Sequence, residues 1–485
     1  MIATREKGPG LLGQAGLAAG RVLLGARFAR AYREMREAQW LPRDELLGRM
    51  ERRLADLLGH AARQVPFYRE YCRNDGIAPE DLRTLEDLKR LPVIDKAALR
   101  EGPVERFLAE NLGPHRRLWY TTSGSTGEPL KFCLDREALP LVFASHLFYD
   151  SWFDLRPFDR HVRFMAPPAA DPPIDAGAPR SFRWKQQLAG RLKRLYERVT
   201  QRQFSMFDVD PARVGSIFAE TNAFRPAYLL GYTSTLATLA DHLLQKGLRL
   251  DRPLKAVITI AEPLTPPRRK LIQDAFRAPI VNRYGQREFK YWSSQSCAAS
   301  DSRFHVNTEL VAAEVLRADG SQAAPGEVGR LVLTNLHNRV MPFIRYDTAD
   351  LASLEDRPCE CGRGFPLIAA LEGRSQEVLV TPSGRMVNPT SLGHFLFVIK
   401  DYVESVKHFQ LVSDSDRRVT LRIVPSQPAG PELTGRLAAD LSGLLQDEMQ
   451  VAIEVVSEIP LERSGKRPVI KSGQKGGARG AAARS

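Results

Sequence analysis

The sequence predicts an α/β protein: a large layered N-terminal α/β domain with a β subdomain, followed by a small C-terminal α+β domain. Two observations carry this. In the middle of the chain short apolar runs alternate with helical patterns, as a mainly parallel sheet requires, while the last hundred residues read strand, strand, helix, strand. The chain has 485 residues, 43% of them apolar, enough for a sizeable core and more than one domain.

The elements follow in order. Leu46 to Val65 carries apolar residues at helical spacing (Leu47, Met50, Leu54, Leu57, Leu58, Ala61), and Asp81 to Leu99 continues in short helical pieces broken at Pro92. Helices are expected at Pro211 to Phe224, at Thr233 to Lys246 with Gly247 as the stop, and at Pro267 to Phe276; strands are expected at Ala256 to Ile260 and Pro279 to Asn282. Val311 to Leu316 and Gly329 to Thr334 flank Ala318-Asp319-Gly320 and Pro325-Gly326 turns and suggest a smaller β layer. In the tail domain, strands at Val406 to Val412, Val419 to Val424 and Val451 to Val456 enclose a helix from Glu432 to Met449. No internal repeat is visible.

Composition excludes some classes. Leu11 to Phe28 is rich in Leu, Ala and Gly, but Arg21 and Arg27 interrupt it, so it does not reach the run of about 20 apolar residues a membrane span needs. It also lacks a cleavage site in the expected place, and no signal peptide is read. With Arg30, Arg33 and Arg36 following, contact of this helix with a membrane surface is conceivable, but packing against its own protein is the favoured reading. The formal charge of +13 is inflated by Lys466, Arg467, Lys471, Lys475, Arg479 and Arg484, and from Ser472 onward no apolar period survives, which reads as a disordered basic tail. No separate aromatic-and-basic face points to nucleic acid. Five scattered cysteines form no disulfide framework and suit a reducing cytoplasm.

The chemistry-bearing residues begin at Tyr120 to Lys131, Tyr-Thr-Thr-Ser-Gly-Ser-Thr-Gly-Glu-Pro-Leu-Lys. Gly124 and Gly127 let a backbone approach an anion, and Thr122, Ser123, Ser125 and Thr126 add hydroxyl donors. The loop lacks the Gly-Lys-Ser/Thr ending of a P-loop and the spacing of a dinucleotide fingerprint. Taken alone, it could be an ordinary polar turn. Cys297, His305, Cys359 and Cys361 offer a normal closed zinc set, although Cys-x-Cys is tighter than usual zinc spacing and unpaired structural thiols are the alternative. Any such zinc would be structural, because four protein ligands leave no position for water.

Four further segments follow: Asn282 to Glu288 (Asn-Arg-Tyr-Gly-Gln-Arg-Glu), Ile344 to Asp350 (Ile-Arg-Tyr-Asp-Thr-Ala-Asp), Gly373-Arg374, and Ile459 to Lys466 (Ile-Pro-Leu-Glu-Arg-Ser-Gly-Lys). In this order and spacing the chain resembles the adenylate-forming (acyl-CoA synthetase-like) superfamily, within it the phenylacetate–CoA ligase branch and its capsular-polysaccharide-biosynthesis relatives. The resemblance covers about Leu46 to Ile470, and Val65-Pro66-Phe67-Tyr68-Arg69, Leu91-Pro92-Val93-Ile94-Asp95-Lys96 and Tyr228-Leu229-Leu230-Gly231-Tyr232 share in it. Some relatives also carry a Cys/His set where this chain has its own.

The resemblance implies an N-terminal helical extension at 1–45, a large adenylate-forming domain at 46–373, a small mobile C-terminal domain at 374–470 and the tail at 471–485. It also implies an ATP-dependent enzyme that forms an acyl-adenylate and passes the acyl group to a thiol, most simply CoA. An amine or hydroxyl acceptor is the runner-up, and a non-catalytic nucleotide-binding protein the third reading. Thr122 to Gly127 would hold the β and γ phosphates, Glu288 Mg²⁺, and Asp350 the ribose hydroxyls; Glu262, Tyr284 and Gly285 would lie about the adenine, and Arg374 near ribose and phosphates. Lys466 would bridge the attacking carboxylate and the α-phosphate. Two departures stand out: Ala349 replaces the usual Gly, and Gln376-Glu377 replaces the usual acids after Arg374. An aromatic acid is favoured by resemblance only; Phe143, Phe148, Tyr149, Phe164 and Tyr232 could line its pocket or simply pack in the core.

Overall fold

The computed structural model describes residues 11–121, 130–165, 190–191, 194–205, 209, 213–374, 379–382, 386–387, 392, 395–396, 400, 402, 405–415, 417–460 and 468–472; for 11–24, 121, 301, 372–374, 380, 386 and 472 it describes the backbone alone. It divides into two compact units, Met1–Glu262 with Leu271–Ala370, and Pro263–Lys270 with Leu371–Ser485.

In the first unit, α1 (Leu11–Ala38) is two helices joined at Gly25, whose φ of 80° breaks the helical path. Its second half buries Phe28 and Met35, and α1 packs against α5 (Leu139–Ser151). Among the described residues no helix is long and apolar enough to cross a membrane. Helix α2 (Arg43–Gln64) starts after Pro42, carries Asp44 and Glu45 in its first turn, and buries Leu46, Met50, Leu54, Leu57, Leu58 and Ala61 along one stripe. Short helices α3 (Pro66–Asn74) and α4 (Leu85–Leu88) follow, the latter capped reciprocally by Thr84 and Asp87.

Strands β1 (Arg117–Thr121) and β2 (Lys131–Asp135) pair antiparallel, so Thr121 and Lys131 face each other across the mouth of the hydroxyl-rich loop. An 11-stranded sheet makes the frame. Its parallel half runs β4 (Gln201–Ser205), β3 (His161–Met165), β5 (Tyr228–Tyr232), β6 (Ala256–Ile260) and β7 (Ile280–Tyr284). Strand β6 is buried along its whole length, which is why Ala-Val-Ile-Thr-Ile reads as an unbroken apolar run. Helices α6 (Val214–Phe224), α7 (Thr233–Gln245) and α8 (Pro266–Phe276) intervene between these strands, as their patterns required.

The expected smaller β layer is instead the other half of the same sheet. Strands β8 (Ser294–Cys297), β9 (Ser300–Val306), β13 (Leu367–Arg374), β12 (Tyr346–Glu355), β11 (Gly329–Asn335) and β10 (Val311–Leu316) continue it in that order. Their hairpin connections make antiparallel pairs, and β8 joins them to β7 through the Arg283–Gln295 and Tyr284–Ser294 register.

In the second unit β14 (Leu379–Val380) pairs with β15 (Met386–Val387), and a four-stranded sheet runs β18 (Gln450–Val455), β17 (Arg418–Pro425), β16 (Val406–Ser415), β19 (Ile470–Ser472). Helix α9 (Pro431–Leu444) joins β17 to its parallel neighbour β18, and its Leu437 and Leu441 meet Leu411, Leu421 and Ile423 in the core. The helix ends at Leu444, short of the expected Met449, because Gln446 and Asp447 turn left-handed and the Ser442 hydroxyl donates to Asp447.

Candidate active site

Open parallel sheets bind ligands beyond the carboxyl ends of their strands. At that end of β6, Ala261 takes a φ of 66° and turns Glu262 toward α7, where its carboxylate accepts from the Ser234 backbone N–H at 2.7 Å and the Ser234 hydroxyl at 3.1 Å. Thr233 Oγ1 donates to the Glu262 carbonyl at 3.0 Å. Both carboxylate oxygens therefore serve to cap α7, a favourable place for negative charge, and the chain is held in the turn that leads to Pro263.

Beyond β7 the backbone turns sharply. A Cβ on Gly285 would lie 2.7 Å from the Tyr291 carbonyl oxygen, so only glycine lets this turn fold onto 291–292. The Tyr284 hydroxyl donates to Asp350 Oδ2 at 2.6 Å and also meets the Gln286 amide. Burial, then the Asp350 charge, pushes the Tyr284 phenol well above its ordinary range, so it stays a donor. Asp350 itself is fixed by a backbone bond to Thr348 Oγ1 at 3.2 Å. Ala349, in the place of the usual glycine, adopts the left-handed region with a φ of 60°, held by Asp347 Oδ1 accepting its N–H at 2.8 Å. The backbone keeps the shape a glycine would give, at a cost of about 1–2 kcal/mol.

Glu288 is 3% exposed, and its Oε1 takes two partners: the Tyr346 hydroxyl at 2.9 Å and the Lys96 ammonium at 3.0 Å. The Tyr346 phenol is likewise pushed well above its ordinary range by burial and then by the Glu288 charge. Sequence reasoning gave Lys96 and Tyr346 no role. Lys96 arrives because Ile94 forms a parallel bridge to Tyr346: Ile94 N–H donates to the Arg345 carbonyl at 3.0 Å and Asp347 N–H to the Ile94 carbonyl at 2.8 Å. Arg345 secures the same segment from below. Its guanidinium binds Glu314 at 3.0 and 3.1 Å and donates to the Lys89 and Leu91 carbonyls at 3.0 and 2.8 Å. Lys290 Nζ lies 3.9 Å from the Tyr120 ring centroid, which ties the first strand of the loop hairpin to the Glu288 turn.

The structure thus brings Tyr284, Gly285, Glu288 and Asp350 together. Thr122, Ser123, Gly124, Ser125, Thr126, Gly127 and Lys466 lie outside the described residues, as does most of the tail; of Arg374 only the backbone, at the end of β13, is described. Three of the five residues considered for an acid pocket belong to the core. Phe148 packs with Tyr149, Trp152 and Phe365, and Phe164 stacks on Phe204 at 5.6 Å; Phe143 is exposed and Tyr232 half-buried.

The Cys/His set is a second, closed cluster. Cys297 Sγ is 3.6 Å from Cys359 Sγ, Cys361 Sγ is 3.4 Å from His305 Nε2, and all four ligand atoms lie within 4.8 Å of one another, buried. Zn–S bonds of about 2.3 Å in a tetrahedron put sulfurs about 3.8 Å apart, so the set fits zinc with little adjustment. Hydrogen bonds with Cys297 hold the Cys361 and Cys359 thiols below their usual range and push the Cys297 thiol above it, as three thiols sharing protons at close range must. The Arg363 guanidinium beside this cluster lies 4.1 Å from the Trp152 ring centroid and donates to Gln39 at 2.9 Å. Gly364 N–H bonds the Gln39 carbonyl, tying the cysteine loop to the end of α1.

The chain is similar in sequence and fold to known proteins. The model of the CapK C-terminal domain matches residues 379–473. The chain is similar to phenylacetate–coenzyme A ligase of Thermus thermophilus, with 27% identity over 413 residues, 83% of this chain and 87% of the relative. It is also similar to protein CapK of Staphylococcus aureus, with 21% identity over 92% of this chain and 94% of the relative. Its fold is that of 2-hydroxyisobutyryl-CoA ligase in the postadenylation state in complex with 2-HIB-AMP, with a TM-score of 0.70, 21% identity, and 90% and 91% of the two chains covered. The motifs, the fold and these relatives agree: over most of its length the chain is similar to the phenylacetate–CoA ligases and to CapK, and its C-terminal part matches the CapK C-terminal domain.

Proposed function

We propose that the chain activates a small carboxylic acid with ATP and then hands the acyl group to the thiol of CoA. The observation that carries this is the convergence of Tyr284, Glu288, Asp350 and Lys96 from three distant stretches at the carboxyl end of the parallel strands. In the first half-reaction a carboxylate oxygen bonds to the α-phosphorus and the bond to pyrophosphate breaks. Little is asked of the protein beyond positioning and charge. Asp350, aimed by Tyr284, receives the ribose hydroxyls as an ionised acceptor. Lys96 brings positive charge to the phosphate side, held near Glu288 until a polyphosphate competes for it. Glu288 Oε2, which has no hydrogen-bond partner among the described residues, is the atom that would hold Mg²⁺; when bound, the ion neutralises phosphate charge.

From the family resemblance, Thr122 to Gly127 cradle the outer phosphates, Arg374 lies near the ribose, and Lys466 reaches the α-phosphate from the small domain, which moves for the second step. There the CoA sulfur attacks the acyl carbonyl carbon and AMP leaves. An aromatic acid suits the ligase relatives. Cys297, His305, Cys359 and Cys361 hold zinc as a brace, with no share in the chemistry.

The test is carboxylate-dependent ATP–pyrophosphate exchange over a panel of acids, for wild type and Lys466→Ala. Exchange with at least one acid, lowered about 10²- to 10³-fold in the variant, is the expected result. A blank across the panel would sink the proposal. Mass spectrometry of products formed with CoA or with amines present identifies the acceptor.

A further inference from the structure

At the opposite end of the parallel strands lies a surface that the chemistry above does not use. Arg160 immediately precedes β3, and Phe224 ends α6 just before β5. Here Arg160, Arg198 and Arg202 line a groove of about 550 Å³ together with Phe224 and a single acid, Glu220. Two of the guanidiniums stack on the Phe224 ring, Arg202 at 4.5 Å and Arg160 at 5.5 Å from its centroid. Such stacking fixes the planes of the guanidiniums without neutralising them. Among the described residues none of the three has a carboxylate within salt-bridge distance.

Residues 194–200 form a helical segment that runs into β4 and forms one wall of this groove. Tyr196 holds it down, its hydroxyl on the Pro157 carbonyl and its ring 5.8 Å from Phe158. Outward it presents Leu195, 59% exposed, and Val199, 55% exposed, four residues apart and so on one face, while Phe158, packed on Tyr196, is 48% exposed. Arg194 and Arg198 on the same segment are exposed, as is Arg191 before it. Large aliphatic side chains left in water next to guanidiniums need an explanation that core packing does not supply.

We propose that this face docks on an anionic phospholipid surface: Leu195, Val199 and Phe158 enter the acyl boundary, while Arg191, Arg194 and Arg198 and the Phe224-backed groove take headgroup phosphates. The mixture is what an interfacial element requires, apolar area together with cations that gain from the negative surface potential. A nucleic acid would use the same arginines but would need aromatic faces for its bases, and it gains nothing from Leu195 and Val199. The carboxyl ends of the strands, where the adenylate would form, face away from this surface and stay open to dissolved substrates.

The test uses the full chain, so that its basic tail is common to every sample. Wild type, Arg191→Gln/Arg194→Gln/Arg198→Gln and Leu195→Ser/Val199→Ser are sedimented with phosphatidylcholine vesicles with and without phosphatidylglycerol, at low and raised salt. Expected are binding to the phosphatidylglycerol vesicles alone, a loss of about tenfold or more in the triple variant, and a loss of about tenfold in the apolar variant that persists at low salt. Thermal unfolding and ATP–pyrophosphate exchange should match wild type in both, which shows that the variants fold. Equal binding to neutral vesicles, or unchanged binding by both variants, overturns the proposal. So does tight binding of an RNA oligonucleotide that the triple variant loses and the apolar variant keeps.

Discussion

Two clusters fasten the same two stretches of chain to each other, and they do it by opposite means. Near the strand ends, Tyr284 and Glu288 meet Asp350, Tyr346 and Lys96 through a few charge-assisted bonds. Some distance along, Cys297 and His305 meet Cys359 and Cys361 in a buried tetrad; among the described residues His305 Nδ1 has no hydrogen-bond partner. The first can exchange its partners for a ligand, since Lys96 is about one-third exposed. The second has four donors and no spare position, so it can only hold. On the proposed reading the lesson is one of division: the tetrad would hold, and the carboxylates would be left to exchange partners.

That division can be broken experimentally, and the tetrad should give the largest effect. Metal analysis of protein purified without added metal should find roughly one equivalent of zinc, and Cys361→Ser should lose it together with stability on the order of 10 kcal/mol. Metal-free wild-type protein would end the comparison. Arg345→Met comes next. Burial pushes the Glu314 carboxyl above its usual range even beside Arg345, and stranding it should cost about 3–5 kcal/mol in denaturant titration. The double variant Arg345→Met/Glu314→Gln should recover part of that loss but not the activity, because the anchors of Lys89 and Leu91 remain absent.

Lys96→Ala should show the reverse pattern. ATP–pyrophosphate exchange is expected to fall about 10- to 100-fold, while stability falls less than in Arg345→Met, since Lys96 is one-third exposed and the buried Glu288 carboxylate keeps the Tyr346 hydroxyl. A stability loss without a rate loss would make Lys96 another brace. The smallest effect is Ala349→Gly. Relief of the left-handed strain, about 1–2 kcal/mol, exceeds the added freedom of the unfolded chain, about 0.4–1 kcal/mol, so unfolding should show a gain of about 0.5 kcal/mol.

Local pattern carried the individual elements. β6 and β10 begin and end where their apolar runs do, and Leu46, Met50, Leu54 and Leu57 lie on one stripe of α2 as their spacing required. Pairing was less legible, because hydrophobic period does not say which strand a run will join, and the two expected layers proved to be one sheet. Within the site, Tyr284, Glu288 and Asp350 could be found because each stands in a short motif. Lys96 could not be assigned: a lysine after Ile94-Asp95 has no local mark of the carboxylate it will meet, and only the Ile94–Tyr346 bridge decides it. The sequence left the pocket residues open between two readings for a related reason, since burial in a core and burial against a ligand leave the same aromatic signature at Phe148 and Phe164.

Arg345 grips the carbonyl of Leu91 across 254 positions of sequence. A ribosome therefore releases the segment that bears Lys96 long before the residue that seats it exists, and closure of so long a loop is slow. Until then that ammonium has no address. The contact between Lys96 and Glu288 can therefore be completed only once Arg345 has been made.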